Sequence, residues 1–353
     1  MSSPRLDQPF ITGVLKTPAG DIPVVSSSLT LSDCLGTVKV RCGLGRNNYQ
    51  VDAGLYALGN PDSDSEILVT SNYKLTFDIV RKSLANRSLW LLVLDTGGVN
   101  VWCAAGKGTF GTDELLRRIA SSALHLLVRH RRLITPQLGA PGISAHEVRK
   151  KSGFKIIFGP VDCRDITSFL DNGRKATSAM RFKSFDVLDR AVLIPVELFH
   201  ALKYGLLLTM LSVIISGLLG NVSFWNDAMT GGLFFGVGLF AAILGGAILS
   251  PIFLPWLPGR SFSTKGFIMG TFIASICLLV RYVVYDNQWS WLEVMTWFLV
   301  ITSVTSYLTL NFTGSSTFTS LSGVRKEMRW AFPVQLFAGI CGSLTWFGLI
   351  LTK

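Results

Sequence analysis

Thr96–Thr112 reads TGGVNVWCAAGKGTFGT and follows an unbroken apolar run, Leu89–Leu94 (LWLLVL). Six consecutive apolar residues bounded by turn signals suit a strand covered on both faces, as in the sheets of α/β proteins. Gly97 and Gly98 end that strand, and Asn100 can cap a short helix opening at Val101. Cys103 then falls in the helix's first turn, where free N–H groups and the helix dipole favour a thiolate, the form of sulfur that binds metal. Ala104, Ala105 and Gly106 carry almost no side-chain bulk, which lets a large flat ligand lie against the backbone.

Outward from this stretch the chain alternates between the two periods. Tyr49–Leu58 reads as a strand and Gly59-Asn60-Pro61-Asp62 as a turn. Ile67–Thr70 is a short buried strand, followed by a helical stripe through Leu75, Ile79, Val80 and Leu84. Beyond the cysteine turn, Leu115, Leu116, Ile119, Ala123, Leu126 and Leu127 form a second stripe. Arg132–Thr135 and Phe154–Phe158 are strands. Ser144–Lys151 is a helix with Ser144 and Glu147 spaced as a capping box, and Asp165–Leu170 is a last helix. Residues 1–45 are weakly patterned, with Pro9, Pro18 and Pro23, and Thr37–Arg41 the best strand candidate there. The alternation implies an α/β, Rossmann-like, mostly parallel sheet, whose ligands sit outside the carboxyl ends of the strands. Thr70–Asn72, Thr96–Gly98, Gln137–Gly142 and Gly159–Val161 are therefore expected on one rim.

The second half has a different composition. Of the 353 residues, 49% are hydrophobic; residues 1–203 hold 26 Lys+Arg and 18 Asp+Glu, whereas 204–353 hold 7 and 4. Five apolar segments, 204–220, 230–249, 267–285, 291–310 and 333–351, are each long enough to cross a bilayer. The chain thus divides into an N-terminal extension (1–45), an α/β domain (46–173), a linker (174–203) and an all-α transmembrane domain (204–353). Arg174, Lys175, Arg181, Lys183, Arg190 and Lys203 precede the first span, and Arg260, Lys265, Arg325, Lys326 and Arg329 fill two loops. The other loops offer Asp227 and Asp286. This bias expects the N-terminal domain in the cytoplasm and Lys353 outside, a multi-pass protein of the inner membrane. Trp225, Trp256, Trp289, Trp291 and Trp330 fall where interfacial aromatics belong. Arg281 and Glu293 lie near span ends, within reach of the interface. Gly232, Gly236, Gly238, Gly245 and Gly246 suit close helix packing.

Several chemistries are excluded or weakened. Met1–Gly20 shows no secretory leader, so the soluble cysteines are expected reduced. Cys34, Cys42, Cys103, Cys163, Cys277 and Cys341 include no zinc or iron–sulfur spacing. The net charge of +11 comes without a basic stripe carrying interleaved aromatics, so no nucleic acid is expected as partner. Gly106-Lys107-Gly108-Thr109 fails as a P-loop, because Val101 and Gly108 stand where Gly and Ser/Thr are required. Gly97-Gly98 lacks the dinucleotide spacing. His125, His130 and His146 are remote in sequence from Cys103, which weakens a Cys–His nucleophile without removing it. From the residues alone Cys103 could still be a buried packing cysteine.

Asn100-Val101-Trp102-Cys103-Ala104-Ala105-Gly106-Lys107 resembles the signature N-(V/I)-W-C-A-(A/G)-G-K of the HgcA family, corrinoid proteins of microbial mercury methylation, at all eight positions. The similarity extends through GLYALGNP (54–61), ILVTSNYKLTFDIVRK (67–82), QLGAPGISAHEVRKKSGF (137–154) and GPVDCRDI (159–166). These segments also resemble the corrinoid-binding domain of corrinoid iron–sulfur proteins, and five C-terminal spans match the mercury family's layout. The resemblance implies a cobalamin-type corrinoid with Cys103 as axial ligand of its cobalt. Asn100, Val101, Trp102, Ala104, Ala105, Gly106 and Lys107 would cap that face. Thr70, Ser71, Asn72, Gly139, Gly142, Gly159 and Pro160 would hold the corrin edge and nucleotide tail. It further implies methyl transfer from cobalt to Hg(II), a methylated folate or pterin donor system, and a ferredoxin-like iron–sulfur protein that supplies electrons and could deliver Hg(II). Two other functions fit the same residues: a membrane-tethered corrinoid methyl carrier of one-carbon metabolism with another acceptor, and a non-enzymatic corrinoid-binding sensor or uptake component.

Overall fold

The computed structural model describes residues 4–284, 290–315 and 321–352. They form two compact units, one of residues up to 40 with 44–183, the other of 41–43 with 184–353.

The first unit is built on a seven-stranded sheet: β1 (Ile11–Thr17), β2 (Gly20–Val25), β3 (Gly54–Leu58), β4 (Ile67–Ser71), β5 (Leu89–Leu94), β6 (Arg132–Thr135) and β7 (Lys155–Phe158). The spatial order is β1-β2-β3-β5-β4-β6-β7. β2–β3, β4–β5, β4–β6 and β6–β7 pair in parallel, while β1–β2 and β3–β5 are antiparallel. The mostly parallel α/β sheet expected from the sequence is present. Side chains alternate across it. Leu55, Ala57, Ile67, Val69, Trp90, Leu92, Leu94 and Leu133 pack on one side with Ala104, Ala105, Leu115, Ile119 and Val148. Tyr56, Leu58, Leu68, Leu89, Leu91, Val93 and Ile134 pack on the other with Phe10, Phe77, Val80, Leu84 and Phe169. β5 is buried at every position because both sides are covered.

The N-terminal residues depart from the sequence reading. The stretch taken as weakly patterned supplies β1 and β2, a hairpin extending the sheet. Thr37–Arg41 is not a strand but the end of helix α1 (Leu31–Arg41). Its alternating apolar residues lose to a capping arrangement: Thr30 Oγ1 accepts from Asp33 N at 3.2 Å, and Asp33 Oδ2 accepts from Thr30 N at 3.0 Å. Asp33 also joins α1 to helix α2 (Lys74–Ser83). Lys74 bridges Asp33 and Asp78 at 2.6 Å each, and Arg81 reaches the same two carboxylates at 2.8 Å. Arg81 is fully buried, and its guanidinium also donates to the Ser26 and Ser28 carbonyls. Two cations and two anions thus balance out of water and tie residues 26–33 to the sheet. β3 is shorter than the expected Tyr49–Leu58. Ser144 heads the helix Ala145–Ser152 without a side-chain cap: its N–H donates to Thr112 Oγ1, and Glu147 pairs with Lys151. Asp165–Leu170 appears as a 3₁₀ turn followed by the helix Ile166–Asp171.

Among the described residues the second unit contains five helices long and apolar enough to cross a membrane, Val187–Leu219, Phe224–Phe253, Phe262–Val283, Trp291–Gly314 and Ser322–Thr352. Gly232, Gly236, Gly238, Gly245 and Gly246 stand where a Cβ would come within 3.0 Å of a neighbouring helix, the close packing expected of small residues between membrane helices. Buried polar side chains are spent between helices. Trp297 Nε1 donates to Phe234 O, Trp346 Nε1 to Gly231 O, Thr305 to Ala242 O and Ser306 to Ser263 O. Arg281 and Glu293 meet each other at 3.4 Å with Glu293 buried, a pairing the sequence reading did not foresee. The expectations placed on Tyr285, Asp286, Trp289 and Lys353 lie outside the described residues.

The buried charge cluster makes the first unit's stability depend on Arg81. Burial pushes the Asp33 carboxyl up, but hydrogen bonds from Lys74 and Thr30 outweigh it and hold that carboxyl far below the usual carboxylate range. Its stabilising contribution is therefore full above about pH 4, the ordinary range for Asp, and drains as pH falls below that. Replacing Arg81 by Met leaves a surplus of buried negative charge and is expected to cost about 3–5 kcal/mol in chemical denaturation of the first unit. Lys151→Ala, which removes a solvated pair, should leave the midpoint where it was.

Candidate functional site

Helix α3 (Val101–Lys107) begins as expected, with the Asn100 side-chain oxygen accepting from Cys103 N at 2.9 Å. It ends at Gly108, whose φ of +81° is the left-handed conformation that favours glycine at a helix end. The Gly108, Thr109 and Phe110 N–H groups all turn back to carbonyls of Ala104 or Ala105. Val101, Ala104 and Ala105 are buried, whereas Trp102, Cys103, Gly106 and Lys107 are exposed. Cys103, Gly106 and Lys107 are three and four residues apart and share one face. A Cβ built on Gly106 or Gly108 meets nothing within 4 Å. The thiol therefore stands on an exposed helix face with open space above Gly106.

What lies beneath α3 explains two of the predicted glycines. A Cβ at Gly142 would sit 2.1 Å from Phe110 O and 3.2 Å from Ala105 Cα, and one at Gly139 would sit 2.5 Å from the Phe110 ring. Both belong to the 3₁₀ turn Gln137–Gly142 after β6. They let that turn seat α3 from below, away from the open face.

Beside α3, at the carboxyl ends of β4, β6 and β7, a cavity of about 250 Å³ opens. It is lined by Thr70, Asn100, Val101, Trp102, Thr135 and Gly159 among others, with Pro160, Val161 and Cys163 at its side. The rim foreseen from strand ends forms in part: Thr70, Asn100, Val101, Trp102, Gly159 and Pro160 line the cavity wall, whereas Thr96–Gly98, expected on the same rim, do not. Ser71, Asn72, Cys103, Ala104, Ala105, Gly106, Lys107, Gly139 and Gly142 are not on it. Three hydroxyls at this edge, Thr70 Oγ1, Ser71 Oγ and Thr135 Oγ1, are buried without a hydrogen-bond partner. Such groups are costly unless something pairs with them. Asn72 behaves differently: its side chain is consumed by the Thr96–Gly98 turn.

Thr135 and Cys163 were missed as cavity residues. Thr135 ends β6 directly before Pro136, a signal available in the strand-end rule. Cys163 has no such signal, because its place depends on the turn after β7. Burial, reinforced by the neighbouring Asp162 charge, pushes the Cys163 thiol up to about 11. Asp162 is itself held down to about 2, first by its hydrogen bond from Arg164. His130 Nε2 lies 2.9 Å from Ser65 O, and His125 and His146 are exposed; none of the three lies on the cavity wall.

Residues 21–170 match the family described as CdhD, CO dehydrogenase/acetyl-CoA synthase delta subunit. That delta-subunit match begins at β2 and ends in the helix after β7, so it falls on the sheet unit and leaves the membrane helices outside. Among curated relatives, the acetyl-CoA decarbonylase/synthase complex subunit gamma of Methanocaldococcus jannaschii is 32% identical over 154 residues, 43% of this chain and 30% of that protein. Those of Methanopyrus kandleri and Archaeoglobus fulgidus are 32% and 31% identical over 128 residues, 36% of this chain and 27% of each relative. The chain spans less than a third of the length of these relatives.

The two thiols should separate chemically. Peptide-resolved alkylation of the folded full chain in detergent is expected to modify exposed Cys103 readily at pH 8. Cys163 should react at least about tenfold more slowly, because thiolate is the reactive form, and should gain rate only as the pH approaches 11. Equal rates at pH 8 would contradict the described burial.

Proposed function

We propose that this chain is a membrane-anchored corrinoid protein that holds cobalt through the Cys103 sulfur and passes a methyl group to Hg(II). The observation that carries it is one juxtaposition: a capped, exposed thiol on a bare backbone face, beside a cavity edged by unpartnered buried hydroxyls. A macrocycle with a pendant nucleotide has both parts to match. Its flat ring suits the surface of Cys103, Gly106 and Lys107, and its polar tail suits Thr70, Thr135 and the neighbouring Ser71. The similarity of residues 21–170 to subunits of CO dehydrogenase/acetyl-CoA synthase supports a one-carbon role, and the Asn100–Lys107 motif supports mercury as acceptor.

When bound, a corrinoid would supply a cobalt–carbon bond whose reactivity the protein tunes through the residue that holds the metal. The residues of this chain do the rest. Asn100 fixes the turn that presents Cys103. Cys103 would hold the cobalt through its sulfur, a soft, electron-rich donor suited to methyl transfer to a soft electrophile such as Hg(II). Ala104 and Ala105 anchor α3 without adding bulk, and Trp102 lines the cavity. Electrons for successive turnovers, and a methylated folate or pterin, would come from partners, a ferredoxin-like iron–sulfur protein being the donor that the resemblance implies. The Lys/Arg bias supports an inner-membrane protein with its sheet unit on the cytoplasmic side and its C-terminus outside.

A second reading keeps the cofactor and changes the acceptor. The named relatives are subunits of an acetyl-CoA decarbonylase/synthase complex, which favours a tethered methyl carrier for another substrate. Product analysis with Hg(II) and a non-mercury acceptor separates the two.

Cys103→Ala is expected to remove the sulfur-to-cobalt absorption bands of the corrinoid-loaded protein and to reduce methylmercury formation to background, with the fold intact. Unaltered bands and product in that variant would sink the ligand assignment. Thr135→Val should act with opposite signs in the two states. It removes an unsatisfied buried hydroxyl, so the ligand-free protein gains about 1–3 kcal/mol, while corrinoid affinity falls by about tenfold. A variant that binds corrinoid as tightly as the parent would show that Thr135 takes no part.

A further inference from the structure

Asn72 lies buried at the end of β4 with every side-chain polar atom engaged. Its Oδ1 accepts from Thr96 N and Gly98 N, each at 3.0 Å, and lies 2.8 Å from Thr96 Oγ1. Its Nδ2 donates to Asp95 Oδ1 at 3.1 Å and to Gln50 Oε1 at 3.4 Å. The backbone is committed as well: Asn72 N donates to Leu94 O, and Asn72 O accepts from Val51 N. One side chain thus stitches together residues 50–51, the end of β4 and the turn that leaves β5.

That turn cannot hold itself. Gly97 and Gly98 take consecutive φ values of +65° and +71°, a backbone path with no repeating hydrogen bonds and a high entropic cost of ordering. Asp95 Oδ1 accepts from Gly97 N, and Asp95 N donates to Glu114 Oε1 at 2.9 Å. The Thr96 hydroxyl also lies 2.7 Å from Val99 O. Two residues later Asn100 receives the Cys103 N–H. The path from Asn72 to the thiol is therefore short: hydrogen bonds to Thr96 and Gly98, the backbone through Val99 to Asn100, and the Asn100 cap on Cys103 N.

We propose that Asn72 is a positioning residue for Cys103: by fixing the Thr96–Val99 turn it sets where α3 starts and where the sulfur is presented. This replaces the direct ligand contact expected from the sequence. The site needs an amide because one end must accept from the Thr96 and Gly98 N–H groups while the other donates to the Asp95 carboxylate. An Asp at position 72 would keep the acceptors but turn a negative charge towards Asp95. Exchanging the pair, Asn72→Asp with Asp95→Asn, restores one amide and one carboxylate in contact.

The proposal rests on the proposed role of Cys103 only for its spectroscopic arm. Amide hydrogen exchange of the full chain in detergent needs no cofactor. Asn72→Ala is expected to speed exchange at Thr96, Gly98 and Cys103 by about tenfold or more, given hydrogen bonds of about 1 kcal/mol each. Asn72→Asp should do likewise, and the double exchange should recover most of the protection. Leu84→Ala, in the core on the opposite side of the sheet, controls for general loosening: at a comparable loss of thermal stability it should leave those three amides protected. In corrinoid-loaded protein the sulfur-to-cobalt bands should shift or weaken in Asn72→Ala and return in the double exchange. Unchanged exchange in Asn72→Ala, equal deprotection in Leu84→Ala, or no recovery in the double exchange would each overturn the proposal. Bands absent from the loaded parent protein would instead count against the cofactor reading, with the exchange pattern still deciding the role of Asn72.

Discussion

A helix of seven residues is too short to persist on its own in water, and the site depends on α3 being held from outside. Three constraints do this. Asn100 and Gly108 close its two ends, Ala104 and Ala105 enter the core, and Gly139 and Gly142 let the Gln137–Gly142 turn approach beneath it. All three act from the ends or from below, so the upper face carries a thiol and bare backbone and is free to meet a ligand. Bulk at Gly142 would push Phe110 and Ala105 upward, and bulk at Gly106 would cover the sulfur's surroundings. These neighbouring glycines serve opposite sides of one short helix.

Much of this was legible in the residues. Leu89–Leu94 announces a strand buried on both sides, Asn100 announces the cap, and five apolar segments announce the helices of the second unit. The strand-end rule points to the part of the cavity edge formed by Thr70, Leu138 and Gly159–Val161, while Thr96–Gly98 lie off the cavity wall. What escaped depends on partners distant in sequence. β1 is largely exposed and shows no clear alternation, so the hairpin at the sheet edge left little trace. Thr37–Arg41 alternates like a strand, yet Asp33 caps the helix and is claimed by Lys74 and Arg81, some forty to fifty positions away. The Thr30/Asp33 capping pair was present in the sequence and was passed over; the Ser144/Glu147 pair looked better and is not formed, because Thr112 and Lys151 compete for its members. The resemblance implies a ligand contact for Asn72, and nothing local reveals that the next strand's turn engages its side chain.

In a bilayer no water satisfies a buried hydroxyl or indole; in the helical unit Trp297, Trp346, Thr305 and Ser306 bond to carbonyls of neighbouring helices, while Thr209 Oγ1, Ser216 Oγ and Ser250 Oγ are buried without a partner. Glycines admit the close approaches that these bonds require. What sets Thr70, Ser71 and Thr135 apart is that three such hydroxyls gather at one strand-end edge, with Thr70 and Thr135 on the wall of a cavity.

Cobalt K-edge X-ray absorption of the full-length protein loaded with a corrinoid addresses the central claim directly, because it counts the atoms bonded to the metal. A sulfur neighbour in the cobalt's first shell is the predicted result. A first shell of nitrogen and oxygen alone would mean that Cys103, however well presented, is not the residue that holds the metal.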